Sequence, residues 1–179
     1  PTPVGVTLTT VRLATGAAGS SLPFAFGQVF RKGDVPASAR VAIANKGVTN
    51  ASVDVRNRWT DGSAKFAVVA GEVNVESGTS VLDLALIATY EPVPSVGAIG
   101  IAELKGTAIT TSIGFGGATA SWSTTDWDAP HSVVQVGAAM SSWTFRKPLG
   151  TDSHLVAWLE VRCYRSGNVE VLPWIENGY

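Results

Sequence analysis

The side chains best suited to chemistry gather in one stretch, Asp126-Trp127-Asp128-Ala129-Pro130-His131, with Trp122 shortly before it. Two carboxylates and an imidazole are ligand types for a hard divalent cation, so Asp126, Asp128 and His131 form the candidate metal set. Their spacing is not diagnostic, and a calcium loop normally supplies more oxygen ligands. An ordinary loop is therefore the preferred reading, and no metal or other cofactor is assigned. The same stretch would suit carbohydrate, with Trp122 and Trp127 stacking on sugar rings while Asp126 and Asp128 orient hydroxyls, although tryptophans buried in a β-core are the commoner explanation. A glycosidase acid and nucleophile would need a defined separation between the two carboxyl groups, which the sequence does not supply.

Elsewhere the chemistry thins out. The two histidines, His131 and His154, are not accompanied by a Gly-x-Ser-x-Gly elbow or another nucleophile signature, so no catalytic triad is assigned. Cys163 alternates with Leu159 and Val161, which places it on an apolar strand face as a buried structural residue. Gly114, Gly116 and Gly117 complete neither phosphate-binding pattern, and Arg31-Lys32 reads as a solvated turn. Asn50-Ala51-Ser52 matches a glycosylation acceptor, which has meaning only in a eukaryotic secretory context. No catalytic residue is assigned, and a protein that is not an enzyme is expected.

What must position these residues follows from composition and periodicity. The 179 residues suit one domain spanning 1–179, and 45% apolar against 15% charged residues is the profile of an ordered core. With 19 Gly and 9 Pro the chain is dense in turns. Its net charge of −1, without a block of like charges, argues against a nucleic-acid partner. The longest charge-free stretch, residues 106–125, is loaded with Thr, Ser and Gly, so no membrane insertion is expected. Pro1-Thr2-Pro3-Val4 has neither the basic nor the apolar region of a signal peptide.

Apolar residues recur at period two along most of the chain, which predicts an all-β fold. Val4, Val6 and Leu8 alternate, then Val11 and Leu13 resume one residue out of step, the mark of a bulge or corner. Leu22, Phe24 and Phe26 make the next strand. Val53, Val55, Asn57 and Trp59 form one face of a strand that turns at Asp61-Gly62, with Ala64, Phe66 and Val68 continuing on the far side as the returning strand. Val81 to Ile87 reads as a buried strand, and residues 98–123 as strands joined by tight glycine turns. A second hairpin runs from Leu155 to Cys163, turns at Ser166-Gly167 and returns through Val169 and Val171.

Near the C-terminus, Trp174-Ile175-Glu176 runs into Asn177-Gly178, a strong hairpin turn followed only by Tyr179. The expectation is that this is the N-terminal part of a longer chain, and that an interaction edge at Trp174, Ile175 and Tyr179 is covered by another strand, from downstream or from a neighbour. With net charge near zero, a homo-oligomer is expected.

Two motifs carry a family resemblance: Leu22-Pro23-Phe24-Ala25-Phe26-Gly27-Gln28-Val29-Phe30-Arg31-Lys32-Gly33-Asp34-Val35-Pro36 and Val53-Asp54-Val55-Arg56-Asn57-Arg58-Trp59-Thr60-Asp61-Gly62-Ser63-Ala64-Lys65-Phe66. They resemble the N-terminal RIFT-barrel domain of exo-rhamnogalacturonan-lyase-like proteins, and His154 to Gly178 looks like a later part of it. Val29 and Thr60 stand where prolines are frequent, and Phe66 where Trp is common. Similar domains head phage and prophage structural proteins. The resemblance implies a six-stranded RIFT-type barrel with additional antiparallel strands. It also implies a non-enzymatic anchoring module of a virion protein, a tail fibre or similar tail or neck component, partnered by other virion proteins or its own downstream domains and trimeric in a fibre. The alternatives are the accessory β-domain of a secreted or periplasmic bacterial polysaccharide lyase, whose catalytic toroid would follow Tyr179, and a carbohydrate-binding module.

Overall fold

A computed structural model describes residues 5–79, 81–93 and 95–178. The chain is all-β, with one short helix, and divides into two compact units, Pro1–Gly97 and Ala98–Tyr179.

The first unit holds β1 (Val6–Ala14), β2 (Gly19–Val29), β3 (Arg40–Ile43), β4 (Val48–Arg58), β5 (Ala64–Val75) and β6 (Val81–Thr89). They form two antiparallel three-stranded sheets, ordered β1-β6-β3 and β2-β5-β4. The expected closed barrel is therefore not found among the described residues, since no strand of one sheet pairs with a strand of the other. One apolar core draws on both sheets, with Val41, Leu84 and Leu86 from one and Phe24, Val69 and Val73 from the other. Period-two side chains have to bury one face, and two sheets facing one core satisfy that for all six strands.

The out-of-step alternation near the start is a bulge inside a single strand: Thr7 pairs with Ile87 and Thr9 with Leu86, leaving Leu8 as the extra residue. The β4–β5 hairpin forms as read, with Gly62 at φ 82° and the Asp61 carboxylate accepting the Ser63 N–H at 3.0 Å. The register of the returning strand carries an irregularity. Asn57 pairs with Phe66 but Arg58 with Ala64, so Lys65 is an extra residue that reverses the pleat. Ala64, Ala67 and Val69 are fully buried, while Phe66 and Val68 are only half-buried.

In the second unit, residues 98–123 are not all strand. Ile101–Gly106 is the helix α1, with the Glu103 carboxylate accepting the Gly100 N–H at 2.9 Å and Leu104 buried. Ala102, Glu103, Leu104 and Lys105 are good helix formers, but so short a helix leaves no 3.6-residue period to detect. The hairpin β7 (Thr111–Phe115) and β8 (Ala118–Trp122) follows, turning at Gly116-Gly117 as expected. A four-stranded antiparallel sheet completes the unit, ordered β12 (Val169–Asn177), β11 (Asp152–Tyr164), β10 (Met140–Leu149) and β9 (Ser132–Gln135). Trp143, Phe145, Ala157, Leu159, Val161 and Cys163 bury one face of this sheet. The even-numbered residues of β11 and β12 stand on the other face.

Candidate interaction surface

The stretch richest in chemistry proves structural. Asp126–Asp128 is a single 3-10 turn, and the indoles on either side of it are core: Trp122 is 2% exposed and Trp127 0%. Trp127 packs edge-on against Phe145 at 4.9 Å, and its indole N–H donates to the Ile109 carbonyl at 3.2 Å. Neither ring offers a face to a sugar, which corrects the carbohydrate reading of this loop. Asp126 forms an ion pair with Lys147 and accepts the Ser123 N–H at 2.8 Å. The Lys147 contact, then the Ser123 backbone bond, hold the Asp126 carboxyl below its ordinary range against the opposing effect of burial. Asp128 takes both its oxygens to Lys105 at 2.7 Å. Each carboxylate thus ties the loop to a neighbouring element, Asp126 to β10 and Asp128 to α1 (α1, Ile101–Gly106). His131 turns elsewhere. Among the described residues no three His, Cys, Asp or Glu side chains gather closely enough to hold a metal ion. Cys163 is buried on the core face, as expected.

His131 instead leads to a row of planar side chains on the opposite face of the four-stranded sheet. Its ring meets Trp158 edge-on at 4.9 Å, and the Arg146 guanidinium lies 5.5 Å from the Trp158 ring centre. Trp158 and Trp174 pair across β11 and β12 with ring centres 5.6 Å apart and planes within 6° of parallel. The Trp158 indole N–H donates to the Glu176 carboxylate at 2.7 Å, which fixes the stack's orientation. The row therefore runs Arg146, Trp158, Trp174 across three adjacent strands and ends at β12, the outermost strand of the sheet among the described residues. Trp174 is 43% exposed and Ile175 36%.

Toward the hairpin end the same face closes on itself. Arg162 bridges Glu160 at 2.8 Å and Glu170 at 3.0 Å. Burial opposes the Arg162 charge, and the two carboxylates more than offset it. Burial, with Glu170 alongside, pushes the Tyr164 phenol well above its ordinary value.

The edge itself has a gap. Tyr164 N–H donates to the Asn168 carbonyl and Gly178 N–H to the His154 carbonyl, both at 2.9 Å. Antiparallel pairs alternate, so the even-numbered residues of β12 bond to β11 and the odd-numbered ones turn their backbone groups outward. Pro173 falls among the outward set and has no N–H to give, as suits an edge strand protected from pairing. Of the expected edge residues, Trp174 and Ile175 are exposed on β12, and Tyr179 lies outside the described residues.

The sequence pointed to Trp174 but missed Trp158, Arg146, His131 and Glu176 as its companions. Trp158 and Trp174 each sit in a clean alternation, so the hairpin register was the available signal: folding at Ser166-Gly167 places them opposite one another.

The first unit offers a cleft of about 470 Å³ between the start of β1 and the end of β2, lined by Val6, Thr9, Gln28, Val29, Arg31 and Asp34 among others. Asn50, the glycosylation acceptor of the sequence, lies in β4 and donates its side-chain amide to the buried Glu72 at 2.8 Å, so that nitrogen is already engaged. Comparison with known proteins gave no matching family model, no matching curated protein and no matching solved structure.

Proposed function

We propose that this chain is a non-enzymatic structural and attachment module, the anchoring domain of a phage virion protein such as a tail fibre or a related tail or neck component. The observation that carries the attachment reading is the exposed end of the tryptophan row: Trp174, 43% exposed, lies on β12, the outermost strand of the sheet among the described residues, and Ile175, 36% exposed, stands on the opposite face of the same strand. An indole is a side chain enriched at the centres of protein interfaces. The virion assignment rests on the sequence resemblance, and the six antiparallel strands of the first unit are compatible with a RIFT-type domain that is open along its seams. In this reading the partners are other virion proteins or further domains of the same polypeptide, and the working form is a homo-oligomer, a trimer in a fibre. Sedimentation over a wide concentration range tests it: the expected result is a species of three times 18.6 kDa, and a monomer at every concentration contradicts the oligomeric reading.

A further inference from the structure

Each unit pairs its own strands and fills its own core: every sheet is built from strands of one unit, and each apolar cluster is drawn from one unit's residues. The chain passes from one to the other after β6 (Val81–Thr89), where residues 90–93 and 95–98 stand in no helix or strand and are all exposed. The two ends of this passage are held firmly. At the start, Thr89 is buried and paired with Arg40, and the Glu91 N–H donates to the Thr89 hydroxyl at 3.2 Å. The Arg40 guanidinium donates to the Glu91 carbonyl at 2.7 Å and to the Pro92 carbonyl at 3.1 Å. At the far end Ile99 is buried, and its N–H donates to the Gly137 carbonyl at 3.0 Å. Ser95, Val96, Gly97 and Ala98 lie just before that second anchor, and their side chains are small enough to leave the backbone approachable.

We propose that residues 95–98 are a proteolytic processing site, at which a protease that accepts small aliphatic side chains cuts the chain into its two units with each still folded. The step is hydrolysis of the Val96–Gly97 peptide bond: water adds, the C–N bond breaks, and a carboxylate is left on Val96 and an ammonium on Gly97. A protease reads several residues on each side of the bond in extended form, so cleavage of a folded chain goes where the backbone can leave its surroundings at least cost. Tyr90 is the more exposed side chain, 72% against 51% for Val96, and an aromatic residue suits a chymotrypsin-type enzyme. Its bond is nevertheless guarded, because Ile87, Ala88 and Thr89 before it pair with β3 and the two carbonyls after it are clasped by Arg40. Exposure alone would put the cut at Tyr90; the bonding puts it at Val96. The inference stands apart from the attachment reading and holds whatever the second unit attaches to.

The test digests the whole chain under native conditions with elastase or with chymotrypsin at a low protease ratio, and follows the fragments by intact mass and N-terminal sequencing. Each rate is scaled to that of the same bond in the urea-unfolded chain, which removes the intrinsic preference of the enzyme. Elastase is expected to release first a fragment beginning at Gly97, and both pieces should outlast the intact chain by about tenfold, since neither core has been opened. On the same scale, chymotrypsin should cut after Tyr90 at least about tenfold more slowly than elastase cuts after Val96. Arg40→Ala, which removes the clasp on the Glu91 and Pro92 carbonyls, should speed the cut at Tyr90 about fivefold and leave the cut at Val96 unchanged, a contrast that general destabilisation does not produce. Val96→Asp, at an exposed position, should abolish the fragment beginning at Gly97. A first cut inside a strand, fragments that disappear as fast as they form, equal scaled rates at Tyr90 and Val96, or an Arg40→Ala variant whose Tyr90 bond is cut no faster would each overturn the assignment.

Discussion

The two units use the same material to opposite ends. In the first, two three-stranded sheets turn their apolar rows toward one core, and even a glutamate, Glu72, is drawn fully inside and met by an amide. In the second, a four-stranded sheet buries one face and carries a row of indoles and charged groups on the other. Tryptophan shows the difference within that unit alone: Trp127 is fully buried in the core, while Trp174, on the outermost strand among the described residues, is 43% exposed. Residue type therefore says little about role. What decides is which side of the pleat the register assigns.

Substitutions that break this contrast should rank accordingly. Trp127→Ala removes a fully buried indole, its edge-on contact with Phe145 and its bond to Ile109, and should destabilise the protein by about 3–5 kcal/mol in chemical denaturation. In the first unit, Asn50→Ala takes a donor from the buried Glu72 carboxylate and should cost about 1–3 kcal/mol by the same measurement.

Asp126→Asn should show a smaller, pH-dependent loss. Because Lys147 and Ser123 lower the folded carboxyl below its unfolded value, their stabilisation is complete above the ordinary Asp pKa of about 3.9 and drains away as pH falls through the lower folded value. The gap between wild type and variant should accordingly be present at pH 7 and close in strong acid; a gap that widens in acid would refute the assignment. Trp174→Ala should change stability least, by about 1 kcal/mol or less, since nearly half of the side chain already meets water.

Much of the fold was legible because period-two alternation and turn residues act locally. The Asp61-Gly62 and Ser166-Gly167 hairpins needed only their own residues to declare themselves. What escaped depended on a count or a partner. The inward row of β5 (Ala64–Val75) depends on Lys65 being unpaired, which only the register with β4 reveals. Helix α1 is too short for its period to show. The loop around Asp126 is the ordinary loop that its spacing favours, and only its carbohydrate alternative fails: carboxylates and indoles are the residue types of a binding site, yet Lys105 and Lys147, distant in sequence, neutralise the former and the core absorbs the latter. The row on the opposite sheet face is the converse. Its members are scattered from His131 to Glu176, and only the sheet brings them together.

If attachment runs through Trp174, as proposed, and not through the cleft of the first unit, hydroxyl-radical footprinting of the natural polypeptide in its assembled state, compared with this chain alone, will show it. Trp174 and Ile175 are expected to oxidise readily in the free chain and to become strongly protected on assembly, while Val6 and Val29 at the cleft, 72% and 63% exposed, react equally in both. Protection confined to Val6 and Val29, with Trp174 as reactive in the assembly as in the free chain, would contradict it.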